Sequence, residues 1–164
     1  MSGARDGGFT LIETVVTLVV GGILMATATM GMHAYVVSTR ESGTADQVRS
    51  TLRNAQEQAV SEGRTYCVFF TSTTWTVYKS DCTVAAAKSS GPYQVADSSL
   101  QLSSISFTPP SPSIPNDNTA CPVTGQCAYF YPRGTALPGS LQVTRPGKTY
   151  SISVEGLTGR VSLA

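Results

Sequence analysis

Residues 8–39 read GFTLIETVVTLVVGGILMATATMGMHAYVVST, and this stretch decides how the rest of the chain is read. After Glu13 no Asp, Glu, Lys or Arg occurs until Arg40. A helix rises about 1.5 Å per residue, so about 20 apolar residues cross the hydrocarbon of a bilayer, and this run is long enough. Two ordinary readings fit the run alone. One is a plain signal anchor. The other is a secretory signal peptide, with Arg5 as the basic flank, LVVGGIL as the apolar centre and Ala26-Thr27-Ala28 as a cleavage site. Neither gains anything from Glu13, because a carboxylate in hydrocarbon costs up to about 2.5–3.5 kcal/mol at the membrane centre. An isolated helix would have to lift that acid to the headgroups. A bundle of packed helices can pair it instead.

The residues ahead of the run add a third reading. Gly8-Phe9-Thr10-Leu11-Ile12-Glu13 resembles the processing motif of type IV prepilins and type II secretion pseudopilins at all of its positions. In those proteins a prepilin peptidase cuts after the glycine and methylates the new N-terminus. The resemblance implies a leader of residues 1–8, cleavage between Gly8 and Phe9, N-methylation of Phe9, and a transmembrane and filament-core helix over 9–39. Glu13 would then dock subunits by pairing with the α-amine of a neighbour's Phe9. Gly21, Gly22, Ala26, Ala28 and Gly31 would permit close helix packing or bending, although membrane helices are Gly-rich in general. His33 falls near the outer end of the helix and is assigned no chemistry.

After Arg40 the pattern becomes amphipathic. Ala45, Val48, Leu52, Ala55 and Ala59 recur at helical spacing, with Asp46, Arg49, Arg53, Gln56 and Glu57 between them as a solvated face. Gly63 is a natural end, so 40–63 continues the spine, with Ser42-Gly43 as a place where it can break. Beyond Gly63 the period switches to two. Tyr66 to Phe70 and Trp75 to Tyr78 read as a hairpin around 71–74. Further strands are expected at 100–107, 127–131, 141–145, 150–155 and 160–163, with Pro146-Gly147 and Gly156 to Gly159 as turns. Two stretches, 81–99 and 109–125, read as irregular loops long enough to carry partner contacts.

The C-terminal third, FYPRGTALPGSLQVTRPGKTYSISVEGLTGRV, resembles the GspH/FimT group of minor pilins and pseudopilins. There a strand ending in F-x-P-x-G is followed by two more strands and a closing T-G-R segment. Here these are Phe130, Pro132 and Gly134, then Thr158-Gly159-Arg160. The expected fold is therefore α+β and type IV pilin-like: a long N-terminal helix packed on a C-terminal antiparallel β-sheet domain over 64–164.

Composition agrees with an exported, β-rich domain. The 164 residues are 41% hydrophobic and only 13% charged, against roughly 25% charged in an average soluble domain. The formal net charge of +1 supplies no global field for nucleic acid or acidic lipid. Four cysteines, Cys67, Cys82, Cys121 and Cys127, read as two disulfides, the favoured pairing being Cys67 with Cys82 and Cys121 with Cys127. A zinc site is disfavoured because no C-x2-C pair exists and the single histidine lies in the apolar segment. No metal or cofactor is expected. Nor is catalysis, since the soluble part has no histidine, no G-x-S-x-G and no phosphate loop. Calcium at Asn116-Asp117-Asn118 is explained as well by turn chemistry.

Two non-enzymatic functions remain. One is a minor subunit of a type II secretion pseudopilus or type IV pilus. Its partners would be other pilins or pseudopilins, the prepilin peptidase and the inner-membrane assembly platform. The anchor would sit once across the inner membrane, with the C-terminal domain extracytoplasmic. The other is a DNA-capturing minor pilin for natural transformation. From Cys127 onward Arg133, Arg145, Lys148 and Arg160 face one acid, Glu155, a net +3 that would bind phosphates if the four converged.

Overall fold

In the computed structural model, which describes residues 10–110 and 120–164, the chain forms one long helix and eight strands among the described residues. Gly8, Phe9 and Asn116-Asp117-Asn118 lie outside them, as does the side chain of His33. Helix α1 runs Leu11–Glu62 and contributes to two compact units, one up to Thr39 and one of Arg40–Ala164.

The helix starts where Thr10 caps it. The Glu13 N–H donates to Thr10 Oγ1 at 3.3 Å and to the Thr10 carbonyl at 3.1 Å. It ends at Gly63, whose φ of +62° suits a residue without Cβ, and the Arg64 N–H closes the last turn on the Ala59 carbonyl at 3.2 Å. It does not break at Ser42-Gly43. One glycine costs a helix only about 1 kcal/mol relative to alanine, too little to outweigh the turns on either side.

In the first unit the apolar stretch Leu11–Ala28 has no buried residue. Its threonines do not present bare hydroxyls: Thr14 donates to the Leu11 carbonyl at 2.8 Å, Thr17 to Thr14 at 3.0 Å and Thr27 to Leu24 at 3.0 Å. This back-bonding removes the penalty of an unmet donor in an apolar medium.

The second unit has two four-stranded antiparallel sheets. The first contains β1 (Tyr66–Phe70), β2 (Thr74–Lys79), β3 (Lys88–Gln94) and β5 (Cys127–Phe130) in the order β3-β2-β1-β5. The second contains β4 (Gln101–Phe107), β6 (Gly139–Arg145), β7 (Lys148–Val154) and β8 (Val161–Leu163) in the order β4-β6-β7-β8. The small-residue stripe of α1 lies in the core: Ala45, Val48, Leu52, Ala55 and Ala59 are at most 1% exposed. Tyr66, Phe70, Trp75, Phe130, Leu141 and Ile152 belong to the same core, and the Trp75 indole N–H donates to Thr51 Oγ1 at 3.3 Å. Alanines on the stripe let the helix backbone approach bulky aromatics without leaving voids.

Strand β3 falls in a stretch read as irregular. Its sequence, KSSGPYQ, has no alternation of apolar and polar residues and carries Gly91-Pro92. It forms because it is an edge strand with one partner, β2, where a proline N–H is not needed. Gly91 has φ +95°, and a Cβ there would stand 3.1 Å from the Trp75 carbonyl, so the register shift beside it requires glycine.

The two sheets differ in their outer faces. On the first sheet Cys67, Cys82, Cys127 and Tyr129 form a separate buried cluster with Phe69, Tyr78 and Leu137 packed on it. Disulfides join Cys67 to Cys82 and Cys121 to Cys127, with Cα separations of 5.9 and 6.0 Å. They tie Cys82, after β2, and Cys121, before β5, to this apolar face. On the second sheet, register places Ser106, Ser140, Ser153 and Ser162 in one row and Ser103, Gln142 and Ser151 in the next. Along these rows that face is polar without charge, and Glu155 and Arg160 follow at its end.

Truncating the stripe tests the packing. Leu52→Ala should destabilise the second unit by about 2–5 kcal/mol, lowering its urea midpoint. Glu57→Ala, on the exposed side, should leave the midpoint within experimental scatter.

Candidate functional site

Three groups of residues carry the functional reading. The first is Glu13. It is exposed in the first helical turn, three residues after the Thr10 cap, at the spacing of a capping box. A carboxylate there also complements the positive end of the helix dipole. The helix therefore tolerates Glu13 by itself, a local role for which the T-x-x-E spacing is the signal.

The second group is the pair of loops that close the domain. Gln56 of α1 donates through Nε2 to the Gly134 carbonyl at 3.0 Å and to the Thr158 carbonyl at 2.9 Å. One side chain thus fastens both loops to the helix. The loops also meet directly: Gly159 has φ +62°, and a Cβ on it would collide with the Gly134 carbonyl and with Gln56. Arg53, one turn earlier, donates to the Val161 carbonyl at 3.4 Å. Arg53 and Gln56 are thus not merely part of a solvated face, as helical spacing implies. They bind the outer edge of β8 and its preceding turn. Within that turn Thr158 Oγ1 donates to Glu155 Oε2 at 2.8 Å and accepts the Arg160 N–H at 3.2 Å.

The third group is the basic set, and it does not converge. Arg145 and Lys148 pair across the β6–β7 hairpin beside Pro146-Gly147. Arg160 sits just ahead of β8, where the Glu155 N–H meets its carbonyl at 2.9 Å, at the other end of β7. Arg133 lies in the loop that Gln56 fastens beside Thr158-Gly159. The backbone at Arg133 thus lies near that of the Thr158–Arg160 turn, and Arg145 lies opposite Lys148. Seven rises of about 3.3 Å from Lys148 to Glu155, which pairs with Arg160, put roughly 23 Å of backbone between Arg145–Lys148 and Arg160.

The family model described as type II transport protein GspH matches residues 44–158. The chain belongs to the GspH family. A second model, the prokaryotic N-terminal methylation motif, matches residues 3–29, which include Gly8, Phe9 and Glu13. No curated protein sequence matches the chain. Among solved structures the fold is similar to the type IV minor pilin FimU of Pseudomonas aeruginosa, at 14% identity over 79% of this chain and 92% of that one, with TM-score 0.52. It is also similar to the minor pseudopilin EpsH of the type 2 secretion system of Vibrio cholerae, at 14% identity over 76% of this chain and 96% of that one, with TM-score 0.53. At such identity these likenesses establish the type IV pilin-like α+β fold. The GspH match begins at Thr44, within the helix of the second unit, and ends at Thr158, whose carbonyl Gln56 holds. For this GspH-family chain the Gln56 contacts give the F-x-P-x-G and T-G-R segments a physical reason: both are backbone turns tied to one helix side chain.

Gln56→Ala should cost about 1–3 kcal/mol and speed amide exchange in 133–136 and 156–160. Gly159→Ala should destabilise more than Gly147→Ala. Both glycines have positive φ, but nothing lies within 4 Å of a Cβ at Gly147. Equal losses at the two glycines would mean that contact with Gly134 and Gln56 does not matter.

Proposed function

We propose that this chain is a minor pseudopilin or pilin subunit of a type II secretion pseudopilus or a type IV pilus. It is made with the leader 1–8, cut between Gly8 and Phe9 by a prepilin peptidase, and methylated on Phe9. It is held once across the inner membrane, with Arg40–Ala164 extracytoplasmic, and drawn by an assembly platform into a filament with other pilins. It works by assembly rather than catalysis.

The observation that carries this reading is the uncovered apolar surface of Leu11–Ala28, with Glu13 alone at its start. Lipid can cover that surface in the membrane, and packed helices of other subunits can cover it in a filament. In either place the acid must be satisfied. A neighbour's N-terminal amine supplies a charge-assisted hydrogen bond that lipid does not. The motif match over residues 3–29 supports the processing step.

Capture of DNA is the second reading, supported by the count of basic residues and by little in their placement. A phosphate track would have to bridge two separate pairs of cations. With both pairs engaged, affinity would fall with salt at a slope of about −0.9 per phosphate contacted.

Gly8→Val should leave a precursor, seen by mass as a chain that keeps residues 1–8 and lacks the methyl group. A chain of mature size would remove the processing claim. Glu13→Ala should still be cleaved, yet fall in the filament fraction by roughly tenfold or more, the effect of losing about 1.5–3 kcal/mol. Undiminished incorporation would refute the docking role. In a mobility-shift series with the full chain in detergent, no salt-sensitive DNA binding is expected. Binding abolished by neutralising Arg133, Arg145, Lys148 and Arg160 would replace the structural reading with DNA uptake.

A further inference from the structure

The two disulfides lie against each other. In the β1–β5 register Cys67 stands opposite Tyr129 and Phe69 opposite Cys127, so Cys67 and Cys127 are diagonal neighbours on the outer face of the first sheet. Cys82 returns to the same place from the segment after β2. The sulfurs of Cys67, Cys82 and Cys127 all lie within 4.8 Å of one another, and the three residues are at most 2% exposed. Cys121 differs in being half-buried. With Cys127 it borders a cavity of about 190 Å³.

From this arrangement we propose that the four cysteines form a thiol–disulfide exchange site, entered by a small-molecule thiol at Cys121 and relayed inward by Cys127. In the first step an external thiolate attacks the Cys121 sulfur. A mixed disulfide forms there, the Cys121–Cys127 bond breaks, and its electron pair leaves on Cys127. In the second step the Cys127 thiolate attacks the neighbouring Cys82 sulfur. A Cys82–Cys127 bond forms, the Cys67–Cys82 bond breaks, and Cys67 leaves as thiolate. Either that thiolate reverses the step, or it attacks Cys121 in the mixed disulfide, forms Cys67–Cys121 and releases the external thiol. The number of disulfides is unchanged, so no oxidant is consumed. The segments that cover the first sheet thus share one exchangeable latch in place of two independent staples.

Only thiolates attack, so the rate should rise roughly tenfold per pH unit below the thiol pKa of about 8.5. The test is Cys121→Ser in the full chain. It leaves Cys127 as a thiol beside Cys67–Cys82. Samples held folded at pH 6, 7 and 8 are quenched in acid, alkylated and mapped by mass spectrometry. Cys127 should appear bonded to Cys82 or Cys67, with the expected pH dependence. Cys127→Ser, which leaves only the outlying Cys121 thiol, should keep Cys67–Cys82 intact. Cys127 remaining a free thiol in folded Cys121→Ser would overturn the proposal. So would equal scrambling in both variants, which would mean that exchange runs through unfolded chains. Should Cys121→Ser not fold, limiting thiol added to the unaltered protein decides: the first adduct is expected on Cys121, and a first adduct on Cys67 or Cys82 overturns the proposal.

Discussion

A single helix here has to satisfy two different surroundings, and the rest of the molecule follows from that constraint. Over Leu11–Ala28 it is strongly apolar, with Glu13 as its one charge, and none of those residues is buried among the described residues. Over Arg40–Glu62 it offers one narrow stripe of small residues, which the sheets bury completely. Apolar surface left in water costs on the order of 25 cal/mol per Å², so the first portion requires an external covering and the second does not. That division is what the proposed role requires: a domain with its own core, and a helix whose apolar surface lipid or other helices could cover.

The domain end of the helix does more than bury a stripe. Arg53 and Gln56, one turn apart, reach the backbone of the last strand and of the two loops beside it. Backbone carbonyls at those loops would otherwise depend on water for their hydrogen bonds. Fastening them to the helix closes the outer edge of β8, which is only three residues long. On the first sheet the disulfides perform a related task, tying Cys82, after β2, and Cys121, before β5, to a buried cluster that includes Tyr129, Phe69 and Tyr78.

Much of this was legible in the residues. The stripe from Ala45 to Ala59 is a periodic signal long enough to be unambiguous, and all five of its residues are buried. The hairpin of β1 and β2 was legible from the switch to a period of two on either side of 71–74. Strand β3 was not, because KSSGPYQ has neither pattern nor propensity and is held by its partner alone. Gln56 was misread for a different reason. Helical spacing separates an apolar face from a polar one, yet it cannot tell which polar side chain meets the backbone of a loop about a hundred residues later. Charge counting is blind in the same way: Arg145 and Arg160 belong to one basic segment of sequence, and β7 carries them to opposite ends of a sheet.

The most direct test of the central claim is to find what covers the helix. A photoreactive residue in place of Leu18, which is 75% exposed, reports its neighbours when irradiated in membranes and again in sheared filaments. Adducts to lipid in the membrane fraction and to the N-terminal helices of other pilins in the filament fraction are the expected result. Adducts in both fractions to residues 40–164 of the same chain would contradict it, because the apolar surface would then be covered from within.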